Sequence, residues 1–182
     1  LAPLKSIEQE NIWNKVIIGS GDVDFAGFIN SLGISDWVRQ GISKMDSTNG
    51  VCPFCQQHTI SGDLIEKFNN YFNDEYKNEV NKIERFTEEY KSATTLLVEF
   101  LTNLLNNSKY SEYVDADKLK GIISGLKKHN KLNLASMAKK TTSPSDKIDL
   151  EDGIMLYDEL EEFIAGVNNS VSERNSLIAH KN

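Results

Sequence analysis

Two cysteines separated by two residues form the feature most clearly able to do chemistry, the run Cys52-Pro53-Phe54-Cys55. Cysteine thiolates bind zinc, and the proline fixes one backbone dihedral, so both sulfurs can lie on one side of a tight turn. A tetrahedral zinc site normally needs four ligands, and this run supplies two of them. The sequence therefore predicts half of a zinc site.

The other two ligands would have to come from the rest of the chain or from a second copy of it. His58 lies three residues after Cys55, whereas His129 and His180 lie far along the chain. Two copies that each donate a cysteine pair would complete a site more naturally than one chain would. We therefore take Cys52, Cys55 and His58 as candidate metal ligands, with a homodimer as the simplest complete arrangement.

Three other interpretations of the cysteine pair stay open. A redox pair of the thioredoxin type needs its first cysteine at a helix N-terminus within a βαβ unit, and nothing between Val51 and Ile60 indicates strands. A disulfide would close only a very short loop, and one pair in a chain without a signal peptide is typical of a reducing compartment. The third interpretation is a buried thiol pair that packs as two small hydrophobic groups.

Positive charge is concentrated in one part of the chain, although the formal net charge is −7. An acidic surface argues against binding nucleic acid over the whole molecule. Between residues 118 and 145, however, there are seven lysines and no acidic residue. This segment predicts either a solvated lysine face or a phosphate-contacting patch. The candidate nucleic-acid contacts are Lys118, Lys120, Lys127, Lys128, Lys131, Lys139 and Lys140.

Motifs of the common catalytic centres are absent from the sequence. It contains no phosphate-binding G-x-x-x-x-G-K-[ST] run, no G-x-G-x-x-G at the start of a helix, no G-x-S-x-G elbow and no H-E-x-x-H pair. The three histidines lie in separate segments, and adjacent carboxylates such as Glu88-Glu89 fall in helical stretches rich in charge. We therefore expect no catalytic residue and no bound organic cofactor in this chain.

Composition indicates an ordinary folded protein of the cytoplasm. The chain has 182 residues, of which 39% are hydrophobic and 26% charged, enough to bury a core without disulfide or metal staples. No apolar run approaches the roughly 20 residues that a membrane-spanning helix needs, and the first residues lack the layout of a signal peptide. Because the sequence begins at Leu1 rather than Met and ends within a helical pattern, we expect a segment of a longer protein.

Helical periodicity dominates before the cysteine run. Apolar spacing predicts a first helix up to residue 18, a second helix capped by Asp22 and closed by Gly33, and a short third helix that stops at Gly41. Between residues 41 and 62 the periodicity disappears and Ser, Thr, Asn and Gly cluster, which predicts a loop that carries the cysteines. Asp63, with Glu66 three residues later, resembles a capping box and predicts the next helix start.

After the cysteine run the pattern is typical of long helices. Neither Gly nor Pro occurs from Asp63 to Asn107, and apolar or aromatic residues recur at about the 3.5-residue period of coiled coils. Asp115 or Asp117 can cap the following helix. The polar stretch 130–147 predicts a loop with at most one helical turn, around residues 134–138, and a last helix should start near Asp149.

The predicted fold class is all-α, a helical bundle with one long coiled-coil-like helix over about 63–107 and an irregular loop that contains the cysteines. We divide the chain into an N-terminal helical cap over residues 1–41, a CPFC loop over 42–62, and a long helical bundle or coiled-coil region over 63–182.

Several residues in a fixed order carry a family resemblance. They are Trp37-Val38, then Gly41, then Cys52-Pro53-Phe54-Cys55-Gln56-Gln57, then Phe68-x-x-Tyr71-Phe72-x-x-x-Tyr76. This order resembles the middle region of large bacterial ATPases related to SMC and RloC proteins, which are similar to the zinc-hook DNA-repair ATPases. In that family glycine usually follows the second cysteine, where the backbone favours a residue that tolerates positive φ. Gln56 occupies that place here.

The resemblance implies a segment of a split ABC-type ATPase, whose head is interrupted by a long helical insertion. ATP would then bind elsewhere in the parent ATPase, because the Walker and signature motifs of the family are absent from this sequence. The implied partners are the rest of that ATPase, a second copy of the chain and a nucleic acid. The implied setting is nucleic-acid metabolism or defence against phage. The residue-based alternative is a small zinc-dependent nucleic-acid-binding module that uses the 118–140 lysine cluster.

Overall fold

The computed structural model describes residues 1–21, 24–45, 50–53 and 55–180. Within these ranges the chain is helical, and the only β-pairing is an isolated antiparallel bridge between Val51 and His58. The predicted all-α fold class is therefore confirmed. None of the described helices is long and apolar enough to cross a membrane. The described helices are α1 Ala2–Glu8, α2 Ala26–Leu32, α3 Ser35–Met45, α4 Gly62–Tyr71, α5 Asp74–Asn106, α6 Ala116–Thr142 and α7 Ile154–Ala179, with 3-10 turns at Asn11–Trp13 and Ser108–Tyr110.

The chain divides into two compact units. Unit 1 consists of Leu1–Glu10, Phe86–Ser136 and Leu150–Asn182, and unit 2 consists of Asn11–Arg85 and Met137–Asp149. The chain passes from one unit into the other within both α5 and α6. The division of the sequence into segments 1–41, 42–62 and 63–182 stays a prediction.

Each unit has its own set of buried apolar side chains. In both units they recur at the three- and four-residue spacing of a helix face, as the periodicity in the sequence predicts. The buried apolar residues of unit 1 include Leu4, Ile7, Tyr90, Leu101, Leu119, Ile122, Leu126, Tyr157, Leu160 and Phe163. Those of unit 2 include Ile12, Trp13, Ile17, Ile29, Val38, Tyr71, Phe72, Tyr76, Ile83, Met137 and Ile148.

The helix predicted for residues 63–107 is interrupted once, at Phe72–Asn73. The Tyr71 carbonyl accepts a hydrogen bond from the backbone N–H of Ser20 at 2.8 Å, which ties the end of α4 to an extended segment. Asn73 then starts α5, because its Oδ1 accepts from the backbone N–H of Tyr76 at 3.0 Å. The apolar spacing alone predicts one continuous helix, but the hydrogen bond of Asn73 starts a new helix at this point.

Side-chain caps fix two further helix starts. Ser61 caps α4 through a hydrogen bond from the N–H of Leu64 to its Oγ at 3.1 Å, so the start predicted at Asp63 is too late. Of the two predicted caps of α6, Asp115 is the one used, since its Oδ1 accepts from the N–H of Lys118 at 3.0 Å. Both caps satisfy first-turn N–H groups that have no partner inside the helix.

The first forty-five residues differ from prediction in the lengths of the helices. α1 ends at Glu8 rather than near residue 18, because the N–H of Ile17 donates to the Pro144 carbonyl at 3.1 Å and holds an extended segment. Gly33 closes α2 with a φ of 64°, which confirms that stop. The predicted cap Asp22 lies outside the described residues. α3 continues through Gly41 to Met45, so the predicted stop there is wrong.

The polar stretch is helical as far as Thr142, so the loop predicted over 130–147 is wrong for residues 130–142 and confirmed for 143–147. α6 continues to Thr142, and its buried residues Asn130, Asn133, Met137 and Lys140 follow one another at steps of three or four. This is the spacing of one helix face, so polar side chains have replaced apolar ones on the buried side. α7 begins at Ile154, later than the predicted start near residue 149.

Candidate functional site

The two cysteines lie in a short hairpin formed by residues 50–60, called the cysteine hairpin below. Phe54, between the cysteines, lies outside the described residues. The N–H of Ile60 donates to the Gly50 carbonyl at 3.1 Å, and the N–H of Cys52 donates to the Gln57 carbonyl at 2.8 Å. A third bond, from the N–H of Gln56 to the Cys52 carbonyl at 2.9 Å, closes the turn around the CPFC run. The predicted position of the cysteines in a non-helical segment is confirmed.

Gln56 has the backbone conformation for which glycine would be the usual choice. Its φ is 60°, and it is the only non-glycine residue with positive φ in the described part of the chain. This conformation brings a non-glycine Cβ close to the following carbonyl oxygen, which costs about 1–2 kcal/mol. Gln56 thus adopts a left-handed backbone conformation that glycine would adopt at lower cost.

The hairpin leaves its polar groups near solvent. Cys52 is half-buried and Cys55 is exposed, and neither cysteine forms a disulfide. The Cys55 sulfur lies 4.0 Å from Oγ1 of Thr59. His58 is exposed and pairs with Val51 across the hairpin. These two thiols match the donor chemistry of a zinc half-site.

No complete metal site is formed within the chain as described. Over residues 1–21, 24–45, 50–53 and 55–180, no group of three or more His, Cys, Asp or Glu side chains could hold a metal ion. Cys52 and Cys55 therefore supply two donors, and His58 is not gathered with them into a set of three. A metal role for these residues stays a prediction that needs ligands from outside this arrangement.

Four of the seven candidate lysines form an exposed face on α6 within unit 1. Lys120, Lys127 and Lys131 are exposed at steps of seven and four residues, with Lys128 beside them, so they share one side of the helix. We call these four residues the lysine face. Nζ of Lys120 lies 3.1 Å from Oδ1 of Asp117. Because this ion pair is exposed, it contributes little to the free energy of unfolding. Lys118 is also exposed.

The last two candidate lysines have different surroundings, in unit 2. Nζ of Lys139 lies 3.0 Å from a carboxylate oxygen of Asp146, and its side chain is largely exposed. Lys140 is fully buried, and its ammonium donates to the backbone carbonyls of Lys15, Pro144 and Asp146. A nucleic acid could not reach Lys140 in this conformation, because the whole side chain is inside the unit.

The Lys140 ammonium joins three segments of unit 2. Lys140 lies in the last turn of α6. The three carbonyls that accept hydrogen bonds from its ammonium lie before α2 and after α6. Burial lowers the pKa of Lys140 from its ordinary value, although Asp146 and Asp36 oppose that shift electrostatically. Because an ammonium has three donors and no acceptor, three carbonyls satisfy it completely. This buried cation is therefore structural.

Unit 1 contains a second buried charge, the carboxylate of Glu8. The side chain is only 4% exposed, and Oε1 accepts hydrogen bonds from the hydroxyls of Tyr157 at 2.6 Å and Tyr90 at 2.7 Å. Nε2 of His129 lies 2.7 Å from the same oxygen. An ionised carboxylate can only accept, so this histidine nitrogen carries the proton. α1, α5, α6 and α7 thus meet at one oxygen atom.

The second carboxylate oxygen of Glu8 and the nearby amide of Asn133 hold the segment before α7. The N–H of Gly153 donates to Oε2 of Glu8 at 3.1 Å. Asn133 donates to the Glu151 carbonyl at 3.0 Å and accepts from the Glu151 N–H at 2.8 Å. A Cβ at Gly153 would lie 2.7 Å from Nε2 of His129 and 2.6 Å from the Tyr157 ring, so only glycine fits. We call Glu8, Tyr90, His129, Asn133 and Tyr157 the Glu8 cluster.

The pKa of Glu8 reflects two opposed effects. Burial alone would raise it, but the hydrogen bonds from His129, Tyr157 and Tyr90 favour the ionised form and bring the pKa below its ordinary value. The same cluster raises the pKa of Tyr157, through burial first and through the nearby carboxylate. Glu8 is therefore ionised and both tyrosines protonated at neutral pH. Through these hydrogen bonds the Glu8 carboxylate joins α1, α5, α6 and α7.

The sequence contained a signal for both buried charges. Glu8 lies four residues after Leu4, and Lys140 lies three residues after Met137, so each sits on the apolar face of its helix. A charged residue within an apolar stripe is rarely buried unless it has partners. The burial is not visible from the spacing alone, because the partners of Glu8 and one acceptor of Lys140, the Lys15 carbonyl, come from distant parts of the chain.

Comparison with known proteins identifies a family and no close relative. Residues 1–181 match the family model described as AAA domain. No curated protein and no solved structure that we compared is significantly similar to the chain. Because the family model covers almost the whole sequence, the chain belongs to the AAA domain family and is thereby related to its ATPases.

Proposed function

We propose that this chain is an architectural or regulatory helical segment of an ABC-type ATPase of the SMC-like or RloC-like kind, acting in nucleic-acid metabolism or phage defence. The observation that carries this proposal is the match of residues 1–181 to the AAA domain family in a sequence without a Walker run. The rest of the parent ATPase would bind ATP. The helices of 33, 27 and 26 residues suit a segment that transmits movement between distant partners.

The cysteine hairpin is proposed as one half of a zinc joint between two copies of the chain. It presents two thiols near the surface, on a turn whose Gln56 φ of 60° suits a cysteine knuckle. Zinc would hold the two hairpins together through four thiolates, which gives tetrahedral sulfur coordination. Cys52 and Cys55 of each copy would be the ligands, and His58 would not be needed.

Metal analysis combined with the mass in solution tests the joint. We expect about half a zinc ion per chain in a dimer, since four thiolates from two chains complete one site. Cys52→Ser should lose both the zinc and the dimer, and a chelator should convert the wild-type dimer to monomer. His58→Ala is the matched control and should keep both. A metal-free dimer, or one zinc per chain in a monomer, would contradict the joint.

Enzymatic assay tests the architectural assignment separately. The purified chain should not turn over ATP, because no phosphate-binding run is present in its sequence. Nucleotide turnover by this chain alone, retained through purification and lost in a point variant, would refute the assignment.

The lysine face supports a second candidate function, a zinc-dependent nucleic-acid-binding module. Its four exposed ammonium groups lie on one side of α6, where they can contact successive phosphates. A binding module would use this face directly, whereas an architectural segment would not require it.

Salt-dependent binding to a fluorescent oligonucleotide tests the lysine face. The double variant Lys127→Glu, Lys131→Glu should weaken binding and reduce the slope of log affinity against log salt by about two, one for each lost phosphate contact. Lys109→Glu with Lys147→Glu makes the same change in charge away from the face and should leave that slope unchanged. Equal effects of the two double variants would exclude a specific lysine face.

A further inference from the structure

An extended segment of unit 2, residues 15–20, has the burial pattern of a β-strand, and we call it the edge segment. Ile17 and Gly19 are buried, whereas Val16 and Ile18 are 46% and 40% exposed. This alternation has the two-residue period of a strand with one face inside the protein. A Cβ at Gly19 would overlap the ring of Tyr71, so the inner face of the segment lies directly on that ring.

One backbone edge of this segment is bonded into unit 2. The N–H of Ile17 donates to the Pro144 carbonyl at 3.1 Å, and the Lys15 carbonyl accepts from the Lys140 ammonium. Successive residues of a strand direct their N–H and C=O groups to opposite edges. The odd-numbered residues therefore face the interior, and Val16 and Ile18 face the other edge.

The second edge is open along most of its length. At its end the N–H of Ser20 donates to the Tyr71 carbonyl at 2.8 Å, which directs this edge toward the end of α4. The N–H and C=O groups of Val16 and Ile18 have no hydrogen-bond partner within the residues that the structure describes. The segment thus offers donors and acceptors at strand spacing, the arrangement onto which another extended chain can pair.

A cleft of about 290 Å³ lies beside the open edge. One wall is the edge segment, and the other consists of Asn73, Glu75, Tyr76 and Glu79 around the start of α5. Because a water molecule takes about 30 Å³, the cleft has room for a short stretch of extended chain in place of roughly ten waters.

Two carboxylates make the α5 wall of this cleft acidic. Nζ of Lys15 lies 3.0 Å from Oε1 of Glu79, so a lysine on the strand side of the cleft reaches that wall. Glu75 is exposed and has no ion pair in the described part of the chain. A basic side chain on the occupant would complement Glu75, and an acidic one would be repelled.

We propose that the edge segment binds an extended basic peptide segment of a partner protein, whose backbone pairs with Val16 and Ile18 and whose lysine or arginine reaches Glu75. In such strand addition the main-chain hydrogen bonds supply affinity. Cross-strand contacts with the exposed Val16 and Ile18 side chains favour apolar residues at alternate positions. This inference is independent of the zinc joint and of the lysine face.

Hydrogen exchange of the full chain, with a synthetic peptide as probe, tests the pairing directly. The probe is a capped heptapeptide in which valine and threonine alternate between two terminal lysines. In the free chain the amides of Val16 and Ile18 should exchange faster than that of Ile17, which is bonded to Pro144. Saturation with the probe should slow exchange at Val16 and Ile18 by about tenfold and change Ile17 little.

Modified probes separate main-chain pairing from general adhesion. N-methylation of the valines blocks one edge of the peptide, and N-methylation of the threonines blocks the other. One of these two peptides should therefore bind about tenfold more weakly than the probe, and the other should keep most of its affinity. A probe with terminal glutamates should also bind more weakly, because it meets the acidic wall.

Two variants of the chain test the two halves of the site. Ile18→Pro removes an open N–H and breaks no hydrogen bond of the fold, so probe binding should be lost with little change in melting temperature. Glu75→Gln keeps the backbone edge and should weaken binding about threefold, the effect of one exposed ion pair. Asp74→Asn makes the same change in charge at a residue outside the cleft and should leave the affinity unaltered.

Four results would overturn the proposal. Equal affinities of the two N-methylated peptides, or full binding by a folded Ile18→Pro protein, would exclude backbone pairing. Equal effects of Glu75→Gln and Asp74→Asn would exclude the basic contact, and this comparison stands even if Ile18→Pro fails to fold. Slow exchange at Val16 and Ile18 that increases with protein concentration, without any peptide, would show that a second copy of the chain covers the edge instead.

Discussion

Glu8→Ala should lower the free energy of unfolding of unit 1 by about 3–5 kcal/mol, the usual cost of removing one partner of a buried charged network. The variant leaves the hydroxyls of Tyr90 and Tyr157, Nε2 of His129 and the N–H of Gly153 without their common acceptor. Buried donors that lose an acceptor keep their desolvation cost, so the loss exceeds that of a single hydrogen bond.

Urea unfolding followed by hydrogen exchange measures this loss and locates it. Protection of amides in α1 and in the first turns of α7 should fall most, because Glu8 directly bonds the segment before α7. Glu159→Ala, a change at an exposed glutamate of α7, is the control and should stay within about 0.5 kcal/mol of wild type. A Glu8→Ala protein as stable as this control would show that the cluster contributes no net stability.

The same carboxylate sets an acid limit on stability. Its pKa in the folded protein is below the ordinary value of 4.5, so its contribution is complete at pH values above 4.5. As the pH falls through the lower folded-state pKa, the carboxylate takes up a proton and that contribution is lost. Glu8→Gln has no such proton to bind, so its stability should decline less steeply in acid than that of wild type.

Lys140→Met should destabilise unit 2 by about 2–4 kcal/mol. Methionine keeps most of the side-chain volume but removes the ammonium, which leaves the carbonyls of Lys15, Pro144 and Asp146 without their donor. Because burial of the charge lowers the pKa of Lys140, part of the hydrogen-bond energy already offsets desolvation. The expected loss of stability in Lys140→Met is therefore smaller than the summed free energies of three hydrogen bonds to a charged group.

The neighbouring residue provides a matched control for this experiment. Lys139→Met makes the same chemical change at a largely exposed side chain whose partner is Asp146. Surface ion pairs contribute about 0–1 kcal/mol, so urea midpoints should separate the two variants clearly. If both substitutions shift the midpoint equally, the buried ammonium is not a stabilising centre.

Helix positions were predictable where apolar residues form the buried face. The spacing around Leu119, Ile122 and Leu126 predicted α6, and Gly33 predicted the end of α2, because both depend on local chemistry. The same reasoning placed the cysteines in a non-helical hairpin. It also singled out residue 56, where the resemblance stated for the cysteine run predicts a positive φ, and Gln56 has a φ of 60°.

Prediction failed where polar residues replace apolar ones inside the protein. The polar sequence predicts a loop at Asn130, Asn133 and Lys140, although each is buried on α6. Their partners, such as Glu8 and the carbonyl of Lys15, lie more than a hundred residues away in sequence. Such pairings form only when the chain folds, so no local pattern can reveal them.

Gly153 limits how sequences of this family can diverge. Any side chain there would enter the space held by His129 and Tyr157, so glycine is required for as long as those residues hold Glu8. These positions should therefore be kept or lost together among homologues. In a sequence alignment, the joint presence of Glu8, His129, Gly153 and Tyr157 would therefore fix how residues 1–10, α6 and α7 align. Hydrophobic spacing alone would allow these helices to be shifted by a turn.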